Sequence, residues 1–292
     1  YFDRYIYYLS KMKKIKVALG QLLVEGGEPY RNLNRANELV ISAAKESSDL
    51  ILLPECLDFG WTHPSGILEA RTIEGEFSDL LCKYAKENEI NICAGLTEKD
   101  NKTNKNYNSA VFIDRTGVIL NKYRKINILE KAFKFYEVGQ KLEVIDTEFG
   151  KVGINICSDN YHDAIDIGLV LGRMGAEIIL CPSSWTVEYS VTEEVDPYQD
   201  KWTGQFEKIS KIFGIPVIST TSVGYIVGGP YEGKKMVGCS VATNKNGIIT
   251  RGQFNEFSSD LVYVDVDVEN NGIKGTQVGT KIFNEGFLNW KK

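Results

Sequence analysis

Residues 49–54, DLILLP, return at residues 177–182 as EIILCP: an acid, four apolar residues and a proline. Each run is short for a helix and too uniformly apolar for a strand with one wet face, so both read as strands buried on two sides. The elements around them also recur. Before the first run come the apolar IKVALGQ (15–21) and a segment of helical spacing from Tyr30 to Ser47, opened by Pro29. After it come a helix over Glu76 to Asn88, a second buried strand over Ile90 to Gly95, and a hairpin. The hairpin pairs Ser109 to Asp114 with Val118 to Lys122 about an Arg-Thr-Gly turn. The second half repeats this order: a strand over Val152 to Ile156, a helix over Asp163 to Met174 ending at Gly175, then EIILCP. A helical segment over Lys208 to Phe213, a strand over Ile215 to Ser219 and a hairpin of Cys239 to Ala242 with Gly247 to Thr250 complete it. NSAVFIDRTGVI (108–119) beside GCSVATNKNGII (238–249) makes the duplication visible.

Two similar halves with no linker rich in Pro, Gly or Ser between them imply one α/β domain, a four-layer α-β-β-α sandwich with an internal pseudo-two-fold duplication. A single doubly wound sheet is the second architecture considered, and the hairpins argue against it because they bring antiparallel pairs. The expected organisation is an N-terminal extension over 1–11, the domain over 12–274, and a tail over 275–292. Met12 is the expected translation start. The tail, with Phe283, Phe287 and Trp290, is expected to dock on a partner subunit.

Composition excludes several classes. A chain of 292 residues, 43% hydrophobic, buries a sizeable core. The net charge is −5 with both signs mixed along the chain, which argues against a nucleic-acid partner. No apolar run approaches the roughly 20 residues that span a bilayer, and the first eleven residues lack the pattern of a secretory signal. A soluble, cytoplasmic protein is expected. The six cysteines form no CxxC pair and His63 and His162 are the only histidines, so no metal or other cofactor is expected.

Three positions interrupt the apolar pattern where strands end, and strand ends are where open α/β architectures place their sites. Glu55 follows Pro54 in LLPECLDFGW, between a buried strand and an aromatic loop, a setting that desolvates a carboxylate and suits it to proton transfer. Lys125 closes NKYRKINI after the first hairpin. Cys157 ends the strand of VGINICSDNY before a turn toward a helix, a placement that favours a thiolate. Each has an ordinary reading beside the chemical one: a solvated loop acid, a solvent-facing lysine, a core thiol.

Taken together, LLPE ending at Glu55, YRK ending at Lys125 and GINICSDN around Cys157 resemble the nitrilase superfamily of carbon–nitrogen hydrolases, in that family's order and over about Lys14 to Asp267. The resemblance implies the sandwich fold, assembly into a homodimer or higher homo-oligomer, and a division of labour. Glu55 would be the general base, Cys157 the nucleophile that forms a thioester, and Lys125 with the backbone N–H of Ser158 the oxyanion donors. CPSSW (181–185) resembles the segment that helps form the family's substrate pocket. Tyr136, Tyr161, Ser183 and Trp185 are the pocket candidates.

Two departures stand out. The family often has a further glutamate seven positions before the glycine matching Gly139, where this chain has Ala132, and Glu130 is the nearest candidate for that role. The family's His-Leu after the lysine is Asn127-Ile128 here. Ser158 and Asp159 stand where true nitrile-cleaving members carry Trp and Glu, so the resemblance implies a small amide or N-carbamoyl substrate before a nitrile. The rival readings are a papain-like or Ser-His-Asp hydrolase, for which His162 is poorly placed, a non-catalytic binding protein on the same fold, and a membrane-bound acyltransferase, for which spanning helices are missing.

Overall fold

A computed structural model describes residues 13–192, 197–269 and 272–286. The extension over 1–11, Met12, and Phe287 and Trp290 of the tail lie outside the described residues.

Two six-stranded mixed sheets form the body. The first contains β1 (Lys13–Gln21), β2 (Leu50–Leu52), β3 (Asn91–Asp100), β4 (Lys105–Ile113), β5 (Ile119–Arg124) and β14 (Asp260–Val268), in the order β14-β1-β2-β3-β4-β5. The second contains β6 (Val144–Thr147), β7 (Gly150–Ile154), β8 (Ile178–Ser183), β9 (Val217–Thr221), β12 (Val241–Asn244) and β13 (Gly247–Arg251), in the order β13-β12-β9-β8-β7-β6. A small ribbon pairs β10 (Val223–Tyr225) with β11 (Lys235–Val237). The duplication holds in the direction of every strand pairing. In each sheet an antiparallel pair leads into two parallel pairs and then two antiparallel ones. Val17 lies opposite Leu50 in one sheet as Val152 lies opposite Ile178 in the other.

Side-chain alternation shows how the layers stack. In β1 and β2, Val17, Leu19, Leu50 and Leu52 belong to the core cluster that includes Ile154, Ile178, Leu180 and Val241 of the second sheet. Their alternate neighbours Ala18, Ile51 and Leu53 belong instead to a cluster with Leu33, Leu39 and Val40 of α1 (Pro29–Lys45) and Leu81 of α3 (Glu76–Asn88). A period of two on a strand puts successive residues on opposite faces, so the first sheet is covered on both sides. The long run DLILLP is apolar throughout for this reason. A short α2 (Ser65–Glu69) lies in the loop after β2. On the far side, α4 (Ile165–Arg173) and α5 (Gly204–Phe213) contribute Leu171, Ile209 and Phe213 to the core shared with the second sheet. Each such side chain contributes about 1.5–3 kcal/mol by leaving water.

The expected tail contains a helix, α6 (Thr276–Asn284), whose Val278 and Ile282 are buried in this chain's own core, while Phe283 is 64% exposed. No helix among the described residues is long and apolar enough to cross a membrane.

Candidate active site

The chain turns sharply after β2. Gly95 of β3 donates its N–H to the carbonyl of Pro54, and Leu57 donates to the carbonyl of Gly95. A Cβ at Gly95 would lie 2.5 Å from the Cα of Glu55, so the close approach of this corner to β3 demands glycine. The corner after β8 meets it. The Glu55 N–H donates to the Ser183 carbonyl at 3.3 Å, and the Ser184 hydroxyl donates to the Glu55 carbonyl at 3.0 Å. The acid therefore stands where the two halves touch, and it is fully buried.

Lys125 leaves the end of β5. Its N–H donates to the carbonyl of Asn108 at 2.8 Å, and its carbonyl accepts from the N–H of Gly139. The neighbouring Arg124 and Lys122 pair with buried Glu98, so the surface charges on this strand point away from the interior. The side chain of Lys125 is buried, and its Nζ donates to Oε1 of Glu55 at 2.7 Å. The same Oε1 accepts the amide of Asn108 at 2.6 Å, while Oε2 is buried and has no partner. Burial works against the ammonium charge, but Glu55, Cys157 and Asp159 outweigh it and hold Lys125 protonated.

Cys157 comes from the second half, three residues beyond β7, with φ at 46°. This left-handed backbone is costly for a residue with a Cβ, about 1–2 kcal/mol. The turn that imposes it, Cys157–Asn160, is heavily bonded. The carboxylate of Asp159 accepts from the N–H groups of Ile156 and Asn127 and from the Tyr123 hydroxyl. Asn127 and Ser158 exchange side-chain-to-backbone bonds at 2.7 Å in both directions. Asn160 pairs with Asn155 and donates to the Cys181 sulfur. The segment after Lys125 is thus clasped to the turn that carries Cys157, and Asn127 is central to the clasp.

The thiol is 4% exposed. Burial raises its pKa well above the usual range and Glu55 adds to this, while Lys125 and the Ser184 N–H pull it down less strongly. Desolvation and the adjacent carboxylate thus outweigh the cation, against the expectation that this turn favours the thiolate. No long helix begins at Cys157, since α4 starts only at Ile165.

The other expected residues divide. Tyr161 is partly buried, stacks on Trp202 at 4.6 Å, and senses the charges of Cys157, Lys125 and Glu55. Trp185 is buried in a stack with Trp202 and Phe206. The Ser183 hydroxyl bonds to Ser219 and Cys181 in the interior. Tyr136 accepts from the Thr62 N–H and bonds to the Cys56 sulfur, so it braces the loop after Glu55. Glu130 is exposed at the start of a short 3-10 turn, and among the described residues no hydrogen bond joins it to Glu55, Lys125 or Cys157. Sequence reasoning missed Tyr231, which packs on Trp61 at 4.4 Å and senses Lys125 and Cys157, as well as Asn108 and Ser184.

A surface cavity of about 670 Å³ lies beside β5 between Asn121, Lys122, Arg124, Lys141 and Glu143, and none of the three candidate residues lines it. Among the described residues no group of His, Cys, Asp and Glu is arranged to hold a metal ion.

The two halves thus bury Glu55 against Lys125 and leave the buried Cys157 thiol within electrostatic reach of both. The chain belongs to the carbon–nitrogen hydrolase family of the nitrilase superfamily, whose model matches residues 16–272. It is 34% identical over 181 residues to a protein named nitrilase from Pyrococcus abyssi, covering 60% of this chain and 67% of that protein. It is 29% identical over 189 residues to the omega-amidase NIT3 of Saccharomyces cerevisiae, covering 59% of this chain and 64% of that protein. The aligned segment thus spans about two thirds of these relatives' length. The crystal structure of S. cerevisiae Nit3 superposes with a TM-score of 0.74 at 23% identity, over 96% of this chain and 97% of that one. An amidase from Nesterenkonia sp. AN1, seen with the acetamide moiety of fluoroacetamide on its active-site cysteine, superposes with a TM-score of 0.72 at 17% identity, over 87% and 90%. At these identities the two superpositions establish the fold.

Proposed function

We propose that the chain hydrolyses the non-peptide C–N bond of a small amide through a thioester on Cys157. The observation that carries this reading is the buried Lys125–Glu55 contact at 2.7 Å, beside a thiol whose ionisation both groups influence. Because burial and Glu55 push the thiol's pKa upward, attack on the carbonyl carbon requires that its proton leave as the C–S bond forms. Glu55 receives it, and passes it to the departing nitrogen when the tetrahedral intermediate expels ammonia or an amine. Lys125 and the backbone N–H of Ser158 stabilise the oxyanion, where losing one donor typically costs about 3 kcal/mol of barrier. Glu55 then takes a proton from water as the water attacks the thioester, and returns that proton to the departing sulfur, which frees the acid and restores the thiol. The names of the yeast omega-amidase and the Nesterenkonia amidase support an amide before a nitrile, as do Ser158 and Asp159. An N-carbamoyl compound is the second substrate class, and the Pyrococcus relative keeps nitriles on the panel.

The wider reading is a cytoplasmic homodimer or higher oligomer with no nucleic-acid or membrane partner, in which the C-terminal tail reaches a neighbouring subunit. Deleting the tail and measuring molar mass by light scattering tests the last point, an unchanged oligomer refuting it. The central test is intact-mass analysis after brief incubation with a panel of amides, carbamoyl compounds and nitriles. Wild type is expected to carry an acyl adduct that the Cys157→Ala variant lacks. Absence of both adduct and ammonia across the panel would sink the proposal.

A further inference from the structure

The two carboxylate oxygens of Glu55 are not equivalent. Oε1 accepts from Lys125 at 2.7 Å and from Asn108 at 2.6 Å, whereas Oε2 is buried without a partner. Asn108 lies on β4, is 1% exposed, and also offers its main-chain carbonyl to the N–H of Lys125 at 2.8 Å. One residue therefore holds both members of the acid–lysine pair, the acid by its side chain and the lysine by its backbone. The orientation of its amide is forced, because an ionised carboxylate only accepts, and a flipped amide would set oxygen against oxygen. Its own Oδ1 is left buried and unpartnered. A buried polar atom without a partner costs free energy, so Asn108 is poorly explained as a stabilising residue and well explained as one kept for where it puts Glu55.

We propose that Asn108 is a positioning residue for the base: together with Lys125 it occupies Oε1 and so leaves Oε2 as the oxygen that takes the proton from Cys157 and later from water. The proposal rests on the hydrolase reading above. The titratable groups that sense Glu55 among the described residues are Cys56 beside it, Lys125 after β5, and Cys157 and Tyr161 at the turn after β7.

The test uses the full chain and iodoacetamide as probe, following alkylation of Cys157 by peptide mass mapping across pH 4 to 9 beside thermal unfolding. The acid limb of this rate belongs to the Glu55–Cys157 pair rather than to either group. Asn108→Ala should move that limb up by about one pH unit, about a tenfold loss of rate at a fixed acidic pH, as expected for one charge-assisted hydrogen bond. Asn108→Asp keeps the shape but sets a second carboxylate against Glu55, and should move the limb further in the same direction. A folded variant with an unmoved limb overturns the proposal, and loss of the fold in both variants does so too, by assigning Asn108 to the structure alone. If Cys157 of the wild type resists the probe throughout while a surface thiol reacts, the hydrolase reading itself fails and this inference falls with it.

Discussion

The corner after β2 and the corner after β8 are one stretch of backbone built twice, and they carry opposite contents. Pro54-Glu55 matches Pro182-Ser183, and the strand registers match Cys157 to Leu22. The hairpin registers match Lys125 to Phe254. The first set gathers an anion, a cation and a thiol in the interior. The second has a hydroxyl bonded to Ser219, a buried leucine, and a phenylalanine packed against the core. Ser183, Ser184, Ser219 and Ser222 link neutral partners around the second corner without any charge. Identical geometry thus permits chemistry without supplying it, and the second corner shows what the first would look like as scaffold.

The largest contrast should be in rate. Glu55→Gln keeps the shape and removes the base, and is expected to lower turnover of a substrate found by the panel by about 10² to 10⁴-fold. Ser183→Ala, at the matching position, should stay within about tenfold, since one neutral hydrogen bond is worth about 1 kcal/mol. Equal losses would mean that the corners do not differ in kind. Next is stability. Lys125→Met strands a buried carboxylate, and chemical denaturation should show a loss of about 3–5 kcal/mol. Adding Glu55→Leu removes the stranded charge, and the double variant should recover most of that loss or exceed wild type while remaining inactive. Failure to recover would show that the charged pair is needed to fold.

A smaller contrast concerns Asp58, three residues past Glu55. It is buried and held by N–H groups of Phe59 and Thr97, with no cation beside it. Burial raises its pKa to about 7, above the ordinary carboxylate value it has when unfolded. The folded state therefore binds the extra proton between about pH 4 and 7, and stability falls as pH rises through that window. Asp58→Asn lacks this slope, so its stability relative to wild type should improve from pH 4 to 7 by on the order of 2–4 kcal/mol in parallel urea titrations. A constant gap would contradict the raised value. The smallest effect is at Cys157, where the left-handed backbone penalises any Cβ. Cys157→Gly should be more stable than Cys157→Ala by about 1 kcal/mol, both being inactive.

Much of the architecture was legible because it is written in local, repeated patterns. DLILLP and EIILCP gave β2 and β8, the NSAVFIDRTGVI and GCSVATNKNGII pair gave both hairpins, and α3 matches its expected bounds. The β14 strand went unread although DLVYVDVDV alternates, and the short β6 and the β10–β11 ribbon offered little pattern to read. At the site, the three motif residues were legible as interruptions of apolar strands. Asn108, Ser184 and Tyr231 were not, because their importance comes from bonds and contacts across distant segments, such as Asn108 to Glu55. The direction in which the fold pushes the thiol's pKa was not legible for a related reason: a sequence shows the nearby lysine but not how completely the chain closes over the sulfur.

The pairing of β1 with β14 has a consequence for biosynthesis. Lys13 lies opposite Val268 and Gln21 opposite Asp260, so β1 can complete this ladder only after residues 260–268 have left the ribosome. Long-range pairing of this kind is slow and leaves a strand edge open during translation. Polar residues at Lys14, Lys16, Asp265 and Asp267 flank that edge, where they discourage premature association between nascent chains.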